Sequence, residues 1–250
     1  MNISYEIVDF TNEEVQKIVE LKNNYPDNIA YTGRYQILDD NKIKMEFINY
    51  PNIRLNENGN GSIINYNNNN EITVIEQTII LKSILIQSVE LSVFCHQIEF
   101  VHGDVQIHNF LMNTEILKPI LIDFENCESL RYIDFYSVCK KIIDIFDLFR
   151  TIEQFIGHLP QFKDLIDFTK QYSDFQNMKG IFYPIKDLET RIYDKNFNQE
   201  ELNYITRFYF QNLNVNNFND LNKKLLQVLQ NCVITIQNID LKQKQNLISL

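Results

Sequence analysis

The sequence FVHGDVQIHNFLMNTEILKPILIDFE, residues 100–125 of a chain of 250, contains the polar residues around which the rest of the protein can be arranged. Asp104 follows a His-Gly pair, Asn109 lies five positions later, and Asp123 ends an apolar run. Two carboxylates and an amide in this order are the side chains that phosphoryl transfer from a magnesium nucleotide uses. One carboxylate orients the attacking hydroxyl and accepts its proton, and the other oxygens bind the magnesium ions that bridge the phosphates.

The spacing of these residues predicts a β-hairpin that brings them together. Residues 109–112 and 117–122 are mainly apolar, and each is predicted as a short strand with a polar turn between them. A hairpin returns the chain on itself, so Asp123 at its end comes close to Asn109 at its start. Because Asp104 lies on the loop that enters the hairpin, the three oxygen-bearing side chains are expected to converge on one point.

Two motifs in this stretch resemble those of a known fold. The His-Gly-Asp motif at 102–104, with Asn109 after it, resembles the catalytic loop of the protein-kinase-like fold. The Asp-Phe-Glu motif at 123–125 resembles its metal-binding segment. Protein kinases usually carry Arg in the middle of the first motif and Gly at the end of the second. The pattern is therefore more similar to aminoglycoside phosphotransferases and to choline and ethanolamine kinases, and it is sharp over residues 100–135 alone.

The resemblance implies an α+β, kinase-like two-lobe fold with a reduced N-terminal β lobe and a mainly helical C-terminal lobe. It implies an ATP- and Mg²⁺-dependent phosphotransferase that acts on a hydroxyl of a small molecule. In that frame Asp104 is the catalytic base, and Asn109 and Asp123 bind magnesium. His102 is expected to support the catalytic loop through hydrogen bonds. Asp134 is expected to cap the next helix and to bond to the catalytic-loop backbone.

Simpler roles exist for the same residue types. Asp and Asn are common turn residues, and an Asp after a strand often caps a helix. His102 is also compatible with an ordinary core histidine whose hydrogen bonds are satisfied. His102 and His108 suggest a metal pair, but the sequence supplies no further soft ligands at the spacing that zinc sites use.

Residues 1–50 are predicted as the reduced N-terminal lobe, in the order strand, helix and hairpin. The predicted elements are a strand at 3–10, a helix ending near 23, and strands near 31–38 and 42–48. Thr11, followed three residues later by Glu14, is typical of a capping box at a helix start. Phe47, Ile48 and Asn49 are predicted to belong to the hinge, residues 47–51, that contacts the adenine ring of the nucleotide.

Residues 51–250 are predicted as a helical C-terminal lobe with the catalytic loop and the metal-binding segment. The longest helix is expected over 71–98, buried on most sides and leading directly into the catalytic loop. Further helices are expected at 134–156, 161–176, 198–212 and 218–238. Their acidic residues are expected to lie on solvated helix faces rather than to contact a ligand: Asp144, Asp147, Glu153, Asp164 and Asp167.

The N-terminal region lacks two features of the family it resembles. The chain has no Gly before Gly33 and no Lys before Lys17, so the Gly-rich loop and the strand lysine that hold the phosphates are missing. The candidate glutamate partners of that lysine are Glu13, Glu14 and Glu20. Three explanations stay open: a truncated gene product, a pseudokinase that keeps its large lobe as a binding module, or replacement of the lysine by Lys44 or Arg34. An atypical protein kinase is a further alternative.

Composition restricts the partners and the compartment. The formal net charge is −10 and the pI is about 4.9, which argues against nucleic-acid binding as the main activity. The four cysteines form no Cys-x-x-Cys pair and are predicted to be buried free thiols in a reducing compartment. The sequence shows neither a secretory signal nor an apolar run of about 18 residues, so a cytoplasmic protein without a membrane span is expected. The expected partners are a nucleotide and a small-molecule hydroxyl acceptor.

Overall fold

The structure, a computed structural model, describes residues 2–8, 10–38, 42–49, 74–113, 118–157, 159–173, 207 and 214–239. The described residues form an α+β fold with a small sheet and one helix at the N-terminal side and a mainly helical remainder, as predicted. Several predicted features lie outside the described residues, among them the lobe boundary near residue 50, the turn at 39–41 and, apart from residue 207, the helix at 198–212.

The elements follow the predicted order along the chain. They are β1 (Asn2–Val8), α1 (Asn12–Asn24), β2 (Tyr31–Ile37), β3 (Ile43–Asn49), α2 (Val74–Gln97), β4 (Phe100–Val101), a 3₁₀ turn (Ile107–Asn109), β5 (Phe110–Asn113), β6 (Lys118–Leu121), β7 (Glu128–Ser129), α3 (Phe135–Ile156), a 3₁₀ turn (Pro160–Phe162), α4 (Lys163–Ser173) and α5 (Phe218–Gln237). The predicted boundaries differ from these by a few residues, because helix ends fray and a sequence pattern does not fix the terminal residue of an element.

The small sheet has the strand order β1-β3-β2, with both pairs antiparallel. Helix α1 begins at a capping box, because the Glu14 N–H donates to Thr11 Oγ1 (3.2 Å) and the Thr11 N–H donates to Glu14 Oε2 (2.7 Å). The buried face of α1, which includes Val15 and Ile18, belongs to the same apolar core as Met45 of β3. The amphipathic pattern of the helix therefore places α1 on one face of the sheet.

The connection between α1 and β2 fixes the small sheet to the rest of the molecule. The Asn28 carbonyl accepts the Leu121 N–H (2.8 Å), and Asn28 Nδ2 donates to the Pro119 carbonyl (2.8 Å). The Tyr25 ring packs edge-on against Phe94 of α2, with centroids 5.5 Å apart. Since Asn28 is buried, these bonds are shielded from water and hold the connection against the β5–β6 hairpin.

Helix α2 is the central element of the helical part. It packs against α5, α3, β4 and β6, and Ser88 and Ser92, both buried, bond to carbonyls of their own helix. The part from Thr78 to Gln97 is long and apolar enough to cross a membrane by length and composition alone, a test that the core helix of a globular protein also passes. Ile75 and Ile79 were predicted on its buried stripe but are about half exposed, whereas Thr78 between them is buried.

A buried lysine ties the end of α2 to α3 and α5. Lys141 Nζ donates to the His96 carbonyl (3.0 Å), to Glu99 Oε2 (2.6 Å) and to Asn222 Oδ1 (2.8 Å). Burial lowers the pKa of Lys141, and Glu99 opposes that shift. All three ammonium hydrogens can therefore be satisfied at the end of α2, just before β4. The four cysteines are buried and free, as predicted.

Candidate active site

Asp104 and Asn109 are joined directly. Asn109 lies at the end of the 3₁₀ turn and is 2% exposed. Its Nδ2 donates to Asp104 Oδ2 (2.8 Å) and to the Asp104 carbonyl (2.9 Å). One side chain thereby fixes both the carboxylate and the backbone of Asp104. A metal-ligand role for Asn109 would use the amide oxygen, which this orientation does not commit to Asp104.

The two oxygens of Asp104 have different surroundings. Oδ2 accepts from Asn109 and lies 3.5 Å from Nε2 of His108, a half-exposed residue. Oδ1 is buried and has no hydrogen-bond partner among the described residues. A buried carboxylate oxygen without a donor is costly, so such an atom is well suited to receive a proton or a hydroxyl from a ligand.

Asp123 follows β6 in a strained backbone conformation. Its φ is +62°, in the left-handed region that non-glycine residues rarely adopt, and its side chain is exposed. The residue before it, Ile122, donates its N–H to the Asn109 carbonyl (3.0 Å), and the Ile122 carbonyl lies 3.0 Å from His102 Nε2. The hairpin thus brings the start of the metal-binding segment against Asn109, while Asp104 is bonded to Asn109 from the other side.

His102, the first residue of the His-Gly-Asp motif, is buried and its side chain contacts the segment of the second motif. Its ring contacts the Ile122 carbonyl through Nε2 and packs edge-on against Phe124, with centroids 4.7 Å apart. Burial lowers the pKa of His102, while Asp144, the bond to Ile122, Asp104 and Asp123 act in the opposite direction. A neutral ring that bonds to the Ile122 carbonyl must carry its proton on Nε2, since a carbonyl only accepts.

Gly103 allows the catalytic loop to approach the metal-binding segment closely. Its φ is +82°, and a Cβ atom added there would lie 2.2 Å from the carbonyl oxygen of Asn126. Any side chain at this position would therefore need both a left-handed backbone and a displaced segment after Asp123. This contact explains why position 103 is a glycine, where most protein kinases carry an arginine.

Asp144 corrects the prediction for the acidic residues of the helical region. It was expected on a solvated face of α3 but is 1% exposed, and its carboxylate accepts the N–H groups of His102 (3.0 Å) and Gly103 (2.8 Å). His96 Nε2 lies 3.4 Å from the same carboxylate. Asp147, one turn later, is also buried, whereas Asp164 and Asp167 are exposed as expected.

The sequence around Asp144 indicates a buried carboxylate. Both Asp144 and Asp147 lie in the run from Ile142 to Phe149, and all the remaining residues of this run are apolar and buried. A carboxylate inside such a run has apolar neighbours on both sides of the helix, so it is either paired or neutral. Its backbone partners, forty residues earlier in the chain, are set by tertiary packing.

Asp134 performs one of the two tasks predicted for it. Its Oδ1 accepts the Ser137 N–H (2.9 Å) and its own N–H donates to Ser137 Oγ (3.0 Å), so it caps α3. The prediction that Asp134 also bonds to the catalytic-loop backbone is wrong, since among the described residues Asp144 accepts those bonds. The cap occupies the exposed N-terminus of α3, whereas the loop backbone meets the third turn of this helix.

The predicted hinge residues lie in a strand. Phe47, Ile48 and Asn49 form the end of β3 and pair with the first residues of β1. The remainder of the predicted hinge, residues 50–51, lies outside the described residues. Contact between this segment and adenine therefore stays a prediction.

The two basic residues considered as replacements for the missing lysine lie on the far face of the sheet. Lys44 Nζ is 4.4 Å from the ring centroid of Tyr5, and the Arg34 guanidinium is 3.6 Å from Glu46, which also accepts the Tyr5 hydroxyl (3.2 Å). Side chains alternate along a strand, so Lys44 and Glu46 face away from Met45 and the core that contains α1. Neither cation is directed toward the glutamates of that helix.

The glutamates of α1 have other partners. Glu14 is part of the capping box, and Glu20 lies 4.0 Å from Lys17 of the same helix. Glu13 accepts bonds from Ser129 and Arg131, both in the segment that follows Asp123. Sequence reasoning missed these contacts, since nothing in the spacing of the chain relates residue 13 to residue 131.

Two kinases are among the solved structures to which this chain is weakly similar. No family model matches the sequence, and no curated protein is similar to it in sequence. Among solved structures, the chain is similar to the Cydia pomonella granulovirus kinase PK-1, with 14% identity, a TM-score of 0.44, and 96% of this chain and 85% of that chain covered. It is also similar to a chain of the yeast RNA Pol II CTD kinase CTDK-1 complex, with 15% identity and a TM-score of 0.34.

The second similarity is partial, because it covers 61% of this chain and 54% of that chain. Both similarities are weak overall. The element order, strand-helix-hairpin followed by a long helix, catalytic loop and metal-binding hairpin, is the kinase-like order predicted from the sequence. The described residues form a small N-terminal sheet with one helix and a mainly helical remainder, and residues 100–134 follow the predicted order of loop, hairpin and helix cap.

Proposed function

We propose that the protein is an ATP- and Mg²⁺-dependent phosphotransferase that transfers the γ-phosphoryl group to a hydroxyl of a small molecule, in the manner of aminoglycoside and choline kinases. The observation that carries this proposal is the Asp104 carboxylate. One of its oxygens is held by Asn109, and the other is buried with no donor among the described residues. A structural turn or cap would use its oxygens internally, whereas this carboxylate keeps one for a ligand.

Each residue has a defined part in the transfer. The acceptor hydroxyl donates its proton to Asp104 while its oxygen bonds to the γ-phosphorus, and the bond from that phosphorus to the ADP oxygen breaks. Asn109 keeps Asp104 in place through its amide nitrogen, and its amide oxygen and Asp123 would hold the metal. Mg²⁺, when bound, would offset the charge of the phosphate oxygens. Asp144 fixes the loop backbone by accepting the N–H groups of His102 and Gly103.

The preference for a small-molecule acceptor over a protein is supported by Gly103. The tight contact with Asn126 leaves no room for the arginine that protein kinases usually carry at this position. The acidic chain would suit a cationic acceptor. We place the activity in the cytoplasm, a proposal that the four buried free thiols support, because disulfides are rare in that compartment.

A catalytically inactive nucleotide-binding module is the second candidate. The sequence of β1 contains no lysine, and Lys44 packs on Tyr5 on the face of the sheet away from α1. Without a cation at the phosphates, binding of ATP is expected to be weak, and turnover slower still. The two candidates agree on a nucleotide site and differ in turnover.

The deciding experiment compares wild-type protein with three single variants. Mg-ATP binding is measured by calorimetry, and transfer from γ-labelled ATP is measured over a panel of aminoglycosides, choline, ethanolamine and sugars. Asp104→Asn should leave the nucleotide Kd nearly unchanged and lower kcat by a factor of about 10² or more, the scale of a positioned general base. Asp123→Asn should abolish magnesium-dependent binding without unfolding, since Asn also tolerates a left-handed backbone. Asp164→Asn, an exposed change on α4, is the control.

Each outcome separates the candidates. Wild-type turnover that persists at full rate in Asp104→Asn contradicts the role given to Asp104. Magnesium-dependent ATP binding without turnover on any acceptor or with water favours the inactive module. Absence of Mg-ATP binding in the wild-type protein contradicts both candidates.

A further inference from the structure

Glu13 connects the first turn of α1 to the segment that follows the metal-binding motif. Its Oε1 accepts the Ser129 hydroxyl (2.8 Å), and its Oε2 accepts the Arg131 Nε–H (3.0 Å). The two carboxylate oxygens are thus used by two different donors from one short stretch of chain. Contacts of α1 with β7 accompany these bonds.

The segment that Glu13 contacts is itself held against the catalytic loop. Ser129 pairs with Phe100 in the β4–β7 ladder, and the Leu130 N–H donates to the Glu99 carbonyl (2.8 Å). Strand β4 ends one residue before His102. A displacement of α1 at Glu13 is therefore transmitted over a few residues to both motifs of the candidate active site.

We infer that Glu13 is a positioning residue, which through Ser129 and Arg131 fixes α1 and the small sheet relative to the metal-binding segment and so sets the geometry of the nucleotide site. The inference rests on the proposed function and deepens it. In this chain the acidic residue of α1 would couple the small sheet to the site through an arginine after Asp123, rather than through a lysine on a strand.

The electrostatics favour an ionised Glu13. The Ser129 hydroxyl bond, and then Arg131, lower the pKa of Glu13, and a carboxylate in the first turn of a helix is stabilised by the helix dipole. The side chains of Glu13 and Arg131 are 40% and 66% exposed, so water screens the ion pair and its contribution to global stability is small. Loss of the ion pair should therefore change the local order around Glu13 and Arg131 without a large change in the free energy of unfolding.

The chain offers a matched control pair. Asp27 and Lys118 form a second exposed ion pair (2.7 Å), which also joins the α1 side of the molecule to the metal-binding hairpin, but at the far end of β6 from Asp123. Glu13→Gln, Glu13→Ala and Arg131→Ala are compared with Asp27→Asn. The glutamine variant keeps an acceptor for Ser129, so its effect should lie between those of wild type and Glu13→Ala.

Two readouts are measured on the full chain. Hydrogen exchange of the nucleotide-free protein should be about threefold to fivefold faster in peptides covering 12–24 and 124–134 for Glu13→Ala and Arg131→Ala, the factor that corresponds to a well-formed surface pair. The Kd for Mg-ATP should rise by about fivefold or more in the same variants, while Asp27→Asn changes neither quantity in these regions. Melting temperatures should stay close to wild type throughout.

The two readouts keep this inference separate from the proposed function. Unchanged exchange in Glu13→Ala and Arg131→Ala overturns the positioning role whether or not the protein binds nucleotide. Faster exchange with an unchanged Kd for Mg-ATP also overturns it, because the bridge would then be structural only. If the wild-type protein binds no Mg-ATP, the proposed function fails and the positioning role fails with it, even when the exchange data show the bridge itself.

Discussion

The catalytic loop and the outer face of the small sheet both depend on polar contacts, but the two regions are held differently. The N–H groups of His102 and Gly103 donate to Asp144, which is almost completely buried. On the sheet, the buried carboxylate is Glu46, whose side chain is 9% exposed, but its partner Arg34 is 78% exposed. The distances are 2.8–3.0 Å in the loop and 3.6 Å on the sheet, but the two contacts differ more in their exposure to water than in length.

The difference lies in what replaces each contact when it breaks. An exposed arginine exchanges its partner for water at nearly equal free energy, so the pair contributes about 0–1 kcal/mol. A buried carboxylate that loses its donors, or a buried N–H that loses its acceptor, finds no water and costs about 1–3 kcal/mol for each group. The comparison therefore predicts a graded series of effects from the loop to the sheet.

The largest effect is expected at Gly103. Gly103→Ala must place a Cβ against the Asn126 carbonyl in a left-handed backbone, so the free energy of unfolding should fall by about 2–5 kcal/mol. Urea unfolding followed by circular dichroism measures it. Asn126→Ala leaves the contacting backbone in place and should be nearly neutral. A loss below about 1 kcal/mol in Gly103→Ala would show that the loop can move away from the segment after Asp123.

Asp144→Asn should have the next largest effect. The amide presents an N–H₂ group where the carboxylate accepted the bonds of His102 and Gly103, so at least one backbone donor faces another donor. We expect a loss of about 2–4 kcal/mol in the free energy of unfolding. The matched change Asp164→Asn, on the exposed face of α4, should stay within about 0.5 kcal/mol. Equal effects of the two changes would contradict the anchoring role of Asp144.

The pH dependence of stability tests the same buried region. Burial lowers the pKa of His96 below its ordinary value of 6.5; Asp144 and Glu99 oppose this shift, and Lys141 reinforces it. Between the two pKa values, His96 is therefore protonated in the unfolded chain and neutral in the folded chain. Stability is therefore complete above pH 6.5 and is lost as the pH falls from 6.5 through the folded pKa.

His96→Gln should reduce that slope, because glutamine can bond to Asp144 without titrating. The reduction between pH 6.5 and 5.5 is at most about 1 kcal/mol, because one proton contributes no more than about 1.36 kcal/mol per pH unit. His102, whose pKa is lowered in the same way, should maintain part of the slope. Urea unfolding at several pH values measures it, and an unchanged slope would mean that His96 is not held neutral by the fold.

The smallest effects are expected on the outer face of the sheet. Arg34→Gln and Tyr5→Phe each remove one contact to Glu46, whose side chain is 9% exposed, and leave the other contact in place, so each should lower the free energy of unfolding by less than about 1 kcal/mol. A loss above about 1.5 kcal/mol in either variant would remove the distinction between the two regions.

Local rules were sufficient for much of this chain. Thr11 and Glu14 predicted the start of α1, because a capping box needs only residues three positions apart, whereas the cap of α3 by Asp134 was expected from the family resemblance. The hairpin at 110–121 followed from two apolar runs and a polar turn. Ile75 and Ile79 fit the apolar stripe of α2 but not its burial, because a pattern cannot show where the packed partners of a helix end.

The sequence by itself determined which polar residues stand at the ends of the hairpin, and therefore that Asn109 and the Asp123 segment meet. Tertiary structure alone decided what holds them. Asp144 reaches His102 and Gly103 from more than forty residues away, and Glu13 reaches Arg131 across 118 positions. Such contacts depend on which helix faces pack together in the core, and that choice is made by the whole set of apolar surfaces rather than by local spacing.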